Sequence, residues 1–219
     1  MLSKKQVSIM LSLQFEMNTK VDPNWLEAKY PYLRAAVIEG AEAIEHHGWK
    51  WWKKQQLDLP QLQMELIDIW HFFLSDMLLG NAGDKSHTEV QLLQQIASIE
   101  HTTEILFDAQ SYCIKEMDLL AKLELLIGLA SARRIELALF EAIMMDCQLP
   151  WSSLFCQYMG KNILNFFRQD HGYKEGTYQK IWHGREDNEY LVELMATLDA
   201  NDEDYQSKLY QALAKQYPS

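Results

Sequence analysis

Two pairs of carboxylates are the residues best placed to do chemistry in this sequence. Glu39 and Glu42 stand three apart, and Glu65 and Asp68 repeat the spacing further along. On a helix an i, i+3 pair shares one face, so two such helices packed antiparallel would bring four carboxylates together. Burying four negative charges is strongly unfavourable unless cations neutralise them. Mg2+ suits such a cage, being hard, oxygen-seeking and commonly shared with substrate phosphates. An ExxE spacing is also common on solvated helix faces. Two features weigh against that here: Glu65 and Asp68 interrupt the apolar run MELIDIWHFFL, and Ala36, Gly40, Ala41 and Ala43 keep the surface around the first pair small.

The elements that must position these acids read as helices. Val7, Met10, Leu11, Leu13 and Met17 predict a helix from about 4 to 18, with Gln14 and Asn18 on one side. Those amides are either surface residues or a pair able to read the edge of a base, since each offers donors and an acceptor. Pro31 opens the helix of the first pair and Gly48 stops it, while Pro60 opens that of the second, which runs to about Leu79. The loop GNAGDK follows, and from Ser86 to Gln148 the pattern is helical throughout and carries no assigned chemistry. Met144 and Met145 read as core or interface. Pro150 begins another helix, and two more, about 187 to 198 and 202 to 216, close the chain, the last with Asn201 and Asp202 as its cap signal. The expected fold is all-α, a single domain over 1–219.

Two further stretches have polar chemistry. Trp49, Trp51 and Trp52 alternate with Lys50, Lys53 and Lys54; they are either core plugs beside solvated lysines or an aromatic wall for a base with cations near its phosphates. Lys161, Asn165 and Arg168 fall on one helical face, followed by Lys174, Lys180 and Arg185 among Gly172, Gly176 and Gly184. In a chain of formal charge -11 this is where phosphate would bind, although Asp170, Glu175, Glu186 and Asp187 lie among the cations, as in a solvated loop.

The 219 residues allow one good core. The acidic balance argues against a general nucleic-acid or anionic-membrane binder. Cys113, Cys147 and Cys156 form no CxxC, so neither a disulfide framework nor a zinc site is indicated, and a reducing cytoplasm is expected. MLSKKQVSIMLSLQFEMN reads as an amphipathic first helix rather than a signal peptide, and no run is long enough for a membrane span.

The segments LSLQFEMN, EGAEAIEHHGWKWWK, ELIDIWHFFLSD and KNILNFFRQDHGYKEGTYQKIWHGREDN together resemble the dimeric all-α dUTP diphosphatases, within the all-α NTP pyrophosphatase (MazG-like) superfamily. The carboxylate pairs are shared by that superfamily, and the FRQDxGYKxGxY block followed by EDN points to the dUTPase branch. The resemblance implies that Glu39, Glu42, Glu65 and Asp68 ligate two or more Mg2+ ions, with Glu45 just outside them. It implies a uracil pocket of Gln14, Asn18, the Trp51 and Trp52 region and His71. Lys161, Asn165, Arg168, Tyr173, Lys174, Lys180 and Asn188 would contact sugar and phosphates. It also implies dUTP and dUDP as substrates and a homodimer, with 86–150 as helical insertion or interface. The rival enzyme reading is a MazG-like or dCTP-directed pyrophosphatase. Asp68 and His71 make a DxxH, but a di-iron bundle wants Glu-x-x-His on two helices, and no His-Asp dipeptide supports an HD-type phosphohydrolase. A nucleotide sensor without activity is disfavoured by four acidic metal positions.

Overall fold

The computed structural model describes residues 1–198 and 204–218, and within them the chain forms ten α-helices and two small antiparallel hairpins. Ser3 starts α1 (Lys4–Val21) with a reciprocal cap, accepting from the Gln6 backbone N–H while its own N–H donates to the Gln6 side chain. Val7, Met10, Leu11, Gln14, Met17 and Asn18 form the buried face of α1. After the Asp22-Pro23-Asn24 break and the single turn α2 (Trp25–Ala28), α3 (Tyr32–His47) carries the first carboxylate pair. Asp58 caps α4 (Leu59–Gly80), which has Pro60 in its first turn and carries the second pair. The chain continues through α5 (Lys85–Ser98).

The segment 86–148 corrects the expectation of continuous helix. Between α5 and α6 (Leu119–Ser131) lies a hairpin of β1 (Glu104–Phe107) and β2 (Gln110–Cys113), registered Glu104 to Cys113 and Phe107 to Gln110. Its two-residue turn, Asp108-Ala109, has φ of 48° and 59°, the left-handed pair that a tight hairpin needs. The usual Asn-Gly or Asp-Gly signal is missing, and strands of four residues are too short to break the helical spacing around them. Beyond it, α7 (Leu137–Asp146) buries Met144, while Met145 is exposed. Next come α8 (Trp151–Asp170), the two-residue strands β3 (Ile181–Trp182) and β4 (Arg185–Glu186), α9 (Asp187–Thr197) and α10 (Tyr205–Gln216). The expected cap Asn201 with Asp202 lies outside the described residues.

Buried side chains form two clusters. The larger gathers α1, α3, α4, α5, α6, α7 and the first half of α8, with Trp70 stacked on Phe140 at 5.6 Å between ring centroids and edge-on to Trp151. The smaller joins Ile163, Leu164 and Phe167 of α8 to Trp182, Tyr190, Leu191, Leu209 and Leu213. No helix among the described residues is long and apolar enough to cross a membrane.

α3 packs chiefly on α4 and α6, and the small residues around the first acidic pair are what let it approach. Ala36, Gly40 and Ala43 are buried. A Cβ on Gly40 would stand 2.8 Å from Cγ1 of Ile127, a β-branched side chain with little freedom to turn away. Gly40→Ala is therefore expected to destabilise the protein by about 1 kcal/mol, overpacking of roughly 1–3 kcal/mol outweighing the gain in helix propensity. Gly80→Ala, with open space around it, should be neutral or stabilising. Urea denaturation of both variants checks the contrast.

Candidate active site

The two acidic helices, α1 and α8 enclose a cavity of about 840 Å³. Its acidic end is built by helical spacing. Glu39, Glu42 and His46 recur at i, i+3 and i+7 on α3, and Glu65 and Asp68 face them from α4. Glu39, Glu42 and Glu65 each offer an oxygen within 4.8 Å of the others. Burial, then the charges of Asp68 and Glu42, push the Glu39 carboxyl up to about 7. Burial, then Asp68 and Glu39, push Glu65 up to about 8. Three carboxylates crowded in this way are a donor set for a hard divalent cation. Asp68 lines the same cavity, with Oδ2 2.9 Å from Nζ of Lys161. His46 adds an imidazole, its Nε2 3.3 Å from Glu65 Oε1.

The other end is a buried polar network on α1 and α4. Burial pushes His71 down to about 3, so its ring is neutral. Its Nδ1 lies 2.8 Å from Gln14 Oε1, an acceptor, so Nδ1 carries the proton. Tyr158 stacks on the His71 ring at 4.2 Å and places its hydroxyl 3.0 Å from Gln14 Oε1. Gln14 Nε2 donates to Ser75 Oγ at 2.9 Å and to Asn18 Oδ1 at 3.1 Å. Within this network two buried atoms are left without partners: His71 Nε2, a lone pair in this tautomer, and Asn18 Nδ2, a donor. Gln14, Asn18, His71 and Ser75 all line the cavity, so an unpaired acceptor and an unpaired donor lie within the side chains of its wall, each with almost no exposed area of its own. Sequence reasoning missed Ser75, which lies four residues beyond His71 on α4, one helical turn along the same face.

α8 supplies the third wall. Lys161, Asn165 and Arg168 line the cavity together, as do Tyr173, Lys180 and Asn188. All three of these cations are already engaged. Lys161, almost fully buried, reaches Asp68 and, at 3.0 Å, Asn188 Oδ1. Arg168 makes two 2.8 Å bonds to the fully buried Asp187 and donates to Asn165 and Asn188. Lys180, at the exposed rim, pairs with Glu186 at 3.1 Å.

Other sequence-derived positions fall elsewhere. The helix of the first pair ends at His47, and the chain beyond it carries Trp51 and Trp52 into solvent, 86% and 59% exposed and packed edge-on against each other. Neither lines the cavity, and neither plugs the core. Lys174 does not itself line the cavity and donates to the carbonyl of Val21, a lining residue at the end of α1. Glu45 faces Lys50 and Trp49 rather than the acidic cluster. Tyr30, Tyr32 and Phe72, which no spacing rule marked, also line the cavity. Tyr32 and Phe72, aromatic residues on helices, read as core until a void beside them is visible, and Tyr30 lies in the loop before α3, where no periodicity applies.

No curated protein matches the chain. A family model described as dUTPase matches residues 6–173, a span that contains both carboxylate pairs, the amide network and the cationic face of α8. The chain therefore belongs to the all-α dUTPase family, whose reaction is the hydrolysis of dUTP.

Proposed function

We propose that this protein hydrolyses dUTP, and dUDP, to dUMP in a Mg2+-dependent reaction, reading uracil at the Gln14–Asn18–His71 end of the cavity and holding the phosphate chain at the acidic end. The observation that carries this reading is the pair of unpartnered buried atoms, Asn18 Nδ2 and His71 Nε2, at one end of a cavity whose other end is the carboxylate cluster. Uracil presents a ring N–H beside carbonyl oxygens, which a neighbouring acceptor and donor satisfy. Cytosine presents a ring acceptor and an amino donor there, so both contacts turn repulsive.

Glu39, Glu42, Glu65 and Asp68 are the residues that would hold magnesium. Bound there, Mg2+ supplies charge neutralisation for the phosphates and a water of lowered pKa. The protein's own groups do the rest. Lys161 balances Asp68 across the cavity, Lys180 stands at the rim where the outer phosphates end, and Arg168 holds Asn165 and Asn188 in place. Glu42, the exposed carboxylate of the cluster, is our choice to take the proton of the attacking water and pass it to solvent.

The test is pyrophosphate release from a panel of deoxynucleotides with Mg2+. We expect dUTP to be turned over with a kcat/KM at least about 30-fold above that of dCTP, since each buried group left unpaired costs roughly 1–3 kcal/mol and two are mispaired. Equal turnover of dCTP would overturn the base assignment. The dCTP-directed reading requires the opposite polarity at both atoms. The protein acts as a homodimer in this reading, with the surface contributed by 86–150, none of which lines the cavity. Its free thiols Cys113, Cys147 and Cys156 suit a reducing cytoplasm.

A further inference from the structure

His46 has no part in the reading above, yet it sits on the same face of α3 as Glu39 and Glu42, four residues beyond the second of them. Its side chain is partly exposed and lines the cavity, so the ring is reachable from the solution side of the acidic cluster. Its Nε2 stands 3.3 Å from Glu65 Oε1. Two ligand atoms each about 2.1 Å from one cation lie about 3.0 Å apart at a right angle and about 3.4 Å apart at a tetrahedral angle. The observed separation falls between those values. The separation suits two donors to one ion as well as it suits a direct imidazole–carboxylate contact.

We propose that His46 is a nitrogen ligand, sharing a cation with Glu65, and that it makes one metal position of this site a mixed oxygen and nitrogen position. The proposal rests on the reading of the acidic cluster as a metal site and adds a donor to it. Imidazole binds the divalent first-row ions, Mn2+ most weakly and Co2+ more strongly, and is a poor ligand for magnesium. The chemical consequence is selectivity: the position formed by Glu65 and His46 prefers Mn2+ or Co2+ over Mg2+ by more than an all-carboxylate position would.

The experiment is pulsed EPR of the Mn2+-loaded full-length protein, reading the hyperfine coupling of directly bound 14N, together with Mn2+ and Mg2+ titrations by calorimetry. The native protein should show one strongly coupled nitrogen. His46→Gln, which keeps the length and polarity of the side chain, should lose that coupling and bind Mn2+ about tenfold more weakly with little change for Mg2+. Circular dichroism establishes that the variant is folded. A native spectrum without bound nitrogen, or a nitrogen signal that survives in His46→Gln, would overturn the proposal while leaving the carboxylate site standing. An equal loss for both ions would assign His46 to orienting Glu65 instead and would also overturn it. Absence of any divalent binding by the native protein would remove the metal reading itself.

Discussion

Glu65→Gln should abolish dUTP hydrolysis and at the same time stabilise the metal-free protein. The loss of activity follows from the place of Glu65 in the cluster. It is buried, contributes to the 4.8 Å carboxylate group, and touches His46. A neutral amide there removes a charge worth several kcal/mol of transition-state stabilisation, or on the order of a thousandfold in rate. The gain in stability follows from proton linkage. The folded protein holds the Glu65 carboxyl up to about 8, against an ordinary value near 4.5 when unfolded. Because the folded state binds this proton more tightly, stability falls as pH rises through the window from about 4.5 to 8. The same sign applies to Glu39, held up to about 7. Metal-free native protein should therefore melt at lower temperature at pH 8 than at pH 5.5, and Glu65→Gln should flatten that slope by an amount of order a few kcal/mol. Thermal melts with and without EDTA measure both. A variant with undiminished turnover, or a native protein whose stability does not fall with pH, would count against the cluster as described.

Asp187→Ala carries the largest expected effect on folding. Asp187 is fully buried and receives two bonds from Arg168 and one from the Tyr178 hydroxyl. Burial alone would raise its carboxyl, and the guanidinium overrides burial and holds it below the ordinary value. Its contribution to stability is thus present at neutral pH and is lost as pH falls through the acid range. Removing it leaves the buried Arg168 charge without a counter-ion, a cost of about 3–5 kcal/mol. Asn165 and Asn188, both positioned by Arg168, would lose their anchor, so dUTP turnover should drop even under conditions where the variant stays folded. Urea denaturation and steady-state kinetics on the same preparation separate the two effects. A midpoint shift worth less than about 1 kcal/mol would show that the pair is solvated.

Helical spacing made the acidic half of this site legible, because Glu39, Glu42, Glu65 and Asp68 are fixed to faces by the 3.6-residue period alone. It also placed Lys161, Asn165 and Arg168 on one wall. What it could not supply was the partner of each group. Lys161 and Arg168 read as free cations in sequence, yet one is spent on Asp68 and the other on Asp187, a pairing between segments that no local pattern encodes. Lys174 shows the same limit, since its target is a backbone carbonyl at the far end of α1. Trp51 and Trp52 follow the end of α3, where periodicity stops informing direction. The hairpin at 104–113 was hidden because its turn relies on Asp108 and Ala109 in a conformation those residue types seldom announce.

α8 contributes its first half to one buried cluster and its second half to the other; Lys161 falls where the two meet, and Asn165 and Arg168 lie along the second half. A nucleotide bound as proposed above would meet side chains of α3 and α4, which pack in the larger cluster, and Asn188 and Glu189 of α9, which packs in the smaller. Its binding energy is therefore not confined to the cavity: by linkage it raises the cost of opening either core separately. In that binding mode the substrate would tie the terminal helices α9 and α10 into the same cooperative unit as the acidic helices.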